Sequence, residues 1–252
     1  MTTPLLEELP IGRIPPQTDA LREGRERAYN LYSAAVGACL GRGDRERATQ
    51  FLAEEARLPF FAPEELEEAN ARLPETVAKL RSEPVRVPAG ATAAEPGPPL
   101  GEEEIAALFE LGLRERLTGP AREHPRLLLF GGQPGSGKST LQRIVLPALP
   151  EGTVSYDGDD LLRLAPNYEW AMTEDDRAAS VALPGQYPGL HELAMRHVRR
   201  GRVDVVCSHP LGRADWAASW VEGFRDAGYR VEVAFVATHG SNSRFAIVDR
   251  QE

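Results

Sequence analysis

Cysteine, positive charge and long apolar runs are all scarce in this chain. Cys39 and Cys207 are the only cysteines in 252 residues. Two isolated cysteines make no disulfide framework and read as reduced, packed thiols of a cytosolic protein. Lysine and arginine number 29 against 38 acids, a formal net charge of −9. No overall field therefore draws in nucleic acid or an anionic membrane, although a local basic pocket for a phosphorylated substrate is compatible with it. No apolar run approaches a membrane span, and the start MTTPLLEELPIGRIPP lacks the basic head and apolar core of a signal peptide. The chain reads as cytoplasmic, and it is long enough for one large domain or two small ones.

Helical spacing dominates the first third. Leu21, Ala28, Leu31, Tyr32, Ala35 and Val36 recur at helical intervals between Thr18 and about Leu40. A second helix fits Asp44 to Leu58, with Asp44 as N-cap, and a third opens at Pro63-Glu64-Glu65. A short fourth is expected after Pro74. Residues 1–82 thus read as a small all-helical region without a catalytic constellation. Its acidic run Glu64–Glu68 reads as a solvated face. Residues 83–101, with five prolines, read as an extended linker. Residues 102–252 form the second domain, opening with a helix over Glu102 to about Leu117.

That domain alternates strand and helix. Leu127–Phe130, Thr153–Tyr156, Val203–Cys207 and Val231–Val236 are apolar runs of strand length, separated by helical patterns. Alternation of this kind predicts an α/β fold, a parallel sheet flanked by helices, with active residues at the carboxyl edge of the strands. Trp216, Trp220 and Phe224 share one helix face and read as core.

The edge of the first strand carries the most specific signal. Gly132 to Ser139, in GGQPGSGKST, satisfies G-x-x-x-x-G-K-[ST] at every required position. Glycines let the backbone turn tightly and bring N–H groups near phosphate oxygens, and the helix that follows points its positive end at the anion. This predicts a nucleoside triphosphate site formed by Gly132, Gln133, Pro134, Gly135, Ser136, Gly137, Lys138, Ser139 and Thr140. In it Lys138 reaches the β- and γ-phosphates and the Ser139 hydroxyl sits on Mg²⁺. The second strand ends in Asp157-Gly158-Asp159-Asp160 and is expected to flank the phosphate loop. Asp157 and Asp159 are its candidate carboxylates for metal and acceptor, with helix capping by Asp159 or Asp160 as the competing role. Arg213 leaves the third strand's edge and either reaches a phosphate or caps the surface. Arg244 and Arg250 lie on the last expected helix, as lid arginines or, each taken alone, solvated charges. His209, before Pro210, reads as an exposed loop histidine, with a hydrogen-bonding role as the alternative.

GGQPGSGKST, followed by YDGDDLLRLAPNY and GYRVEVAFVATHGSNSRFAIVDRQE, resembles the zeta toxin family of toxin–antitoxin kinases over about Glu102 to Glu252. The resemblance implies a P-loop kinase-like fold and transfer of phosphate from ATP, with Mg²⁺, to a hydroxyl of UDP-N-acetylglucosamine or a related nucleotide-linked molecule. It also implies an antitoxin partner. Carried across, Lys138 holds phosphates, Ser139 the metal, and Asp159 acts as base, while Arg213 and Arg250 neutralise phosphate charge. Three departures accompany it. Arg163-Leu164-Ala165-Pro166 lacks the family's histidine before proline. His209-Pro210-Leu211 stands where the family has Glu-Gly-Thr. The chain ends inside a helix, so the family's second arginine and later helices have no place here. The last implies either completion by another chain or a truncated, weak enzyme. Two further readings remain open: another P-loop small-molecule or polynucleotide kinase, and a nucleotide-binding pseudokinase acting as an interaction module. For the N-terminal helices the alternatives are a built-in inhibitor covering the nucleotide site, or a packing or oligomerisation role.

Overall fold

In a computed structural model, residues 18–83, 100–164, 168, 171, 188–209, 211 and 214–238 are described. The expected linker lies mostly outside them, as do Arg213, Arg244 and Arg250. The chain divides into two compact bodies. One comprises Leu117–Gly158 and the residues from Met195 onward; the other joins Pro16–Arg116 to Asp159–Ala194.

The first body is built on a four-stranded parallel sheet: β1 (Arg126–Gly131), β2 (Val154–Asp157), β3 (Val205–His209) and β4 (Arg230–Phe235). Leu127, Leu128 and Leu129 are wholly buried and Phe130 nearly so, as a strand covered on both faces requires. Leu128, Phe130 and Val206 pack with Val145, Leu146 and Leu149 in one cluster, while Leu127 and Leu129 alternate to the other face. The strand order is β2-β3-β1-β4. This corrects one expectation: β2 does not flank β1, because β3 returns between them. The register aligns Asp157 with Ser208 and Gly131 with His209, so the ends of β2, β3 and β1 lie side by side along one edge.

The second body begins with α1 (Asp19–Gly41), α2 (Arg45–Arg57) and α3 (Pro63–Ser82). Asp44 caps α2 as expected, its carboxylate accepting the Arg47 N–H at 3.1 Å. The expected break at Pro74 does not occur, and Pro63–Ser82 is one helix. An interior proline costs about 3 kcal/mol. Leu66, Ala69, Leu73, Val77 and Leu80 form an unbroken buried stripe across it, and each large apolar side chain returns about 1.5–3 kcal/mol. Burial wins. Asn70, one turn before the proline, donates to the Gly24 carbonyl at 2.8 Å and so ties α3 to α1. The helix at Glu102 ends at Gly112, sooner than its apolar spacing suggested. This α4 packs against α2. Among the described residues no helix is long and apolar enough to cross a membrane.

Candidate functional site

The phosphate-loop motif sits where β1 ends and α5 (Lys138–Val145) begins. Gly132, Gly135 and Gly137 all have positive φ, which only glycine adopts without strain. At Gly132 the constraint is doubled. A Cβ there would lie 2.6 Å from the Val236 carbonyl oxygen and 2.9 Å from the Ser136 hydroxyl. The Val236 N–H donates to the Gly131 carbonyl at 2.7 Å, so the chain leaving β4 closes over the loop's entry. Ser136 is 8% exposed, and its buried hydroxyl has no hydrogen-bond partner among the described residues. A buried hydroxyl is costly unless something accepts its proton. Lys138, only 9% exposed, crosses the loop and donates to the Gln133 carbonyl at 2.8 Å.

At the next residue of α5, three oxygen-bearing side chains meet. The Ser139 hydroxyl donates to Asp157 Oδ2 at 2.5 Å, the Ser208 hydroxyl donates to the same oxygen at 2.8 Å, and the two hydroxyls are 3.5 Å apart. These residues come from α5, β2 and β3. The sheet order explains the meeting, since β3 carries Ser208 into the gap between the other two. Sequence reasoning named Ser139 and Asp157 and placed Ser208 at an active strand edge, but missed its role. Its signal was its place at a strand's carboxyl end.

Gln142 was missed as well. It is 2% exposed, and its Nε2 lies 2.8 Å from Ser155 Oγ, 3.0 Å from the Tyr156 carbonyl and 3.2 Å from the Val206 carbonyl. One side chain therefore fixes the helix that carries Lys138 and Ser139 to both β2 and β3. Gln142→Leu, close in volume, is expected to lower stability by about 1–3 kcal/mol, read by urea denaturation. An unchanged midpoint would mean these contacts contribute nothing.

His209 is not the exposed loop histidine expected from its proline neighbour. Pairing with Gly131 extends β3 to include it, and it is only partly exposed. Its ring packs against Trp216 at 4.2 Å between centroids, on α7 (Ala214–Asp226), and Trp216 stacks on Trp220 at 5.4 Å. Its Nδ1 accepts the Leu211 N–H at 3.2 Å, which leaves Nε2 to carry the proton of the neutral ring. Burial first, and the Lys138 ammonium second, lower its pKa from 6.5 to about 4. The unfolded chain then binds the extra proton between those values. This contribution to stability is complete above pH 6.5 and is lost as pH falls toward 4. In an NMR titration the His209 ring is expected to stay neutral at pH 6. Lys138→Met should raise its pKa only part of the way to 6.5, because burial is the larger cause; titration at the ordinary value in the parent chain would contradict this environment.

Asp159 begins the second body's return segment. It lies exposed on the 3₁₀ helix Gly158–Leu164. The Trp220 and Phe224 side chains are core, as expected, while Trp216 is only partly covered. Both cysteines are free and buried, and burial raises the Cys207 thiol pKa well above its usual value. No group of three or more His, Cys, Asp or Glu that could hold a metal occurs among the described residues. A Mg²⁺ site does not need one, since it takes one or two carboxylates with hydroxyls, water and phosphate. The Ser139, Ser208 and Asp157 oxygens are hard donors of that kind.

Comparison with known proteins agrees with this architecture. Toxin PezT of Streptococcus pneumoniae serotype 4 is 24% identical over 153 residues, 60% of this chain and 60% of that protein. A solved structure from the PezAT chromosomal toxin–antitoxin system of Streptococcus pneumoniae superposes with a TM-score of 0.54 at 20% identity. It covers 64% of this chain and 65% of that one, and at that identity it speaks for the fold alone. The chain thus spans about three-fifths of the curated relative's length. A sequence model described as Zeta toxin matches residues 112–252, more than half of the chain, with the phosphate loop, Asp157 and Ser208 inside it; the protein belongs to the zeta toxin family.

Proposed function

We propose that this protein is an ATP-dependent kinase, the toxin of a toxin–antitoxin pair, and that its acceptor is a hydroxyl of UDP-N-acetylglucosamine or a related nucleotide-linked small molecule. The observation that carries this reading is the meeting of Ser139 and Asp157 at one strand edge beside Lys138. A phosphate-loop lysine, a following serine and a carboxylate on a separate strand are the parts that phosphoryl transfer needs on the nucleotide side. The buried, unpartnered Ser136 hydroxyl and the lack of room for a Cβ at Gly132 fit a loop that closes on phosphate oxygens.

In this reading, residues Gly132 to Thr140 bind the triphosphate and Lys138 orients the β- and γ-phosphates. Ser139 and Asp157 would hold Mg²⁺, with Ser208 fixing the Asp157 carboxylate in place. When bound, the ion supplies charge neutralisation on the phosphates. Asp159 accepts the proton of the acceptor hydroxyl as its oxygen bonds to the γ-phosphorus and the bond to the β–γ bridging oxygen breaks. Arg213 and Arg250 are assigned to the developing phosphate charge. The domain limits 1–82, 83–101 and 102–252, the cytoplasm as the place of action, and an antitoxin partner belong to the same proposal.

Radiolabelled ATP with a panel of nucleotide sugars, nucleosides and oligonucleotides tests it. Label is expected on a nucleotide sugar. Label on another acceptor alone would leave a kinase but remove the proposed substrate, and no label on anything would favour the pseudokinase reading.

A further inference from the structure

The most completely buried charges among the described residues lie away from the phosphate loop. Arg163 and Glu55 form a two-pronged ion pair, with Nη2 donating to Oε1 at 2.8 Å and Nη1 to Oε2. Their side chains are 3% and 1% exposed. Arg163 Nη1 also donates to Ser33 Oγ at 2.9 Å, and the Tyr29 ring lies 5.5 Å from the guanidinium carbon. Tyr29 and Ser33 are on α1 and Glu55 is on α2, so two N-terminal helices grip one arginine of the 3₁₀ helix Gly158–Leu164.

Neighbouring contacts act in the same direction. Leu164, 1% exposed, packs so closely on α4 that a Cβ at Gly112 would fall 2.7 Å from its Cδ2. Gly189, on α6 (Pro188–Gly201), lies so close to Ile105 of α4 that a Cβ would fall 2.6 Å from its side chain. Both ends of the Asp159–Ala194 segment are thus seated on helices that precede the phosphate loop in sequence.

Burying two charges costs several kcal/mol per ion, and an apolar pair of similar volume is often as stable or more so. Stability alone is a weak reason for this pair. What a forked guanidinium–carboxylate contact supplies is a fixed direction. Arg163 stands four residues after Asp159 on the same short helix. We propose that Glu55 and Arg163 are positioning residues for the Asp159 carboxylate, which makes the N-terminal helices part of the acceptor-side machinery and not a detachable inhibitor of it. The inference rests on Asp159 being the acceptor's base.

The test uses the full chain and three variants: Glu55→Gln, the double variant Glu55→Met with Arg163→Met, and Asp159→Asn. Thermal melting is expected to show the double variant as stable as the parent or more so. With Mg-ATP and UDP-N-acetylglucosamine its kcat should fall about 100-fold, the cost of a misplacement on the order of 1 Å, while the KM for ATP stays put. Amides of residues 158–164 should exchange about tenfold faster, and those of β1–β4 at the parent's rate. A double variant that melts and exchanges like the parent and keeps its kcat overturns the inference. If Asp159→Asn also keeps kcat, the base assignment has failed first; if Asp159→Asn is inactive while the double variant is not, only the positioning role has failed. Should no acceptor be labelled by the parent chain, exchange at 158–164 still decides whether the pair orders the segment. Glu55→Gln, which leaves Arg163 buried beside a neutral partner, is expected to lose both melting temperature and kcat, and parent-like values for it would also overturn the proposal.

Discussion

Lys138→Met abolishes phosphoryl transfer in the proposed reaction, with kcat/KM for ATP falling at least about 100-fold, the cost of removing one donor from a site where charge develops. Methionine keeps the unbranched stem that Lys138 buries on α5 and removes only the ammonium and its bond to the Gln133 carbonyl. Far-UV circular dichroism should therefore be unchanged, which separates lost chemistry from lost fold. The measurement is initial rate against ATP, paired with mass spectrometry of metabolites from cells expressing each form. A variant that turns over at the parent's rate would detach the glycine loop from catalysis altogether.

Asp159→Asn is the second large effect. In the proposed reaction it removes the general base, which typically costs about 100–10,000-fold in kcat. Asparagine matches aspartate in size, and the position is exposed, so stability should move by no more than about 0.5 kcal/mol. Nucleotide affinity, read by calorimetry with a non-hydrolysable ATP analogue, should hold. Asp157→Asn predicts the opposite division. It weakens an acceptor shared by Ser139 and Ser208, so the Mg²⁺ concentration needed for half-maximal rate rises. If the two variants behaved alike, separate roles for these neighbouring carboxylates would be untenable.

What could be read in advance followed from local chemistry. β1 and β3 are short apolar runs that the sheet buries, β2 and β4 are less covered runs of strand length, and the glycine loop demands backbone angles that its residues alone permit. Asp44 announced itself as a cap because an acid before an amphipathic stretch has one obvious use. Sheet order did not follow, because it depends on where each crossover helix packs, and β3 entered beside β1 where β2 was expected. Polar residues in the interior were equally hidden. Gln142 looks like any solvent-facing helix residue until Tyr156 and Val206 are seen beside it. Arg163 looked like a remnant of a motif that had lost its histidine, and its partner Glu55 lies on another helix far back in the chain. His209 was misjudged because Pro210 suggested a loop, whereas pairing with Gly131 extends the strand by that residue.

The parallel register bears on how the protein is made. β1, with the loop attached, leaves the ribosome long before either strand that borders it: residue 131 pairs with 209 on one side and 235 on the other. At roughly 5–20 residues per second, about 4–16 s of translation separate the loop from its first neighbour, and a few seconds more from the second. Throughout that interval the nascent polypeptide exposes an apolar ribbon with no edge to pair against. A cell producing it has a window in which chaperones meet the chain before the sheet is complete.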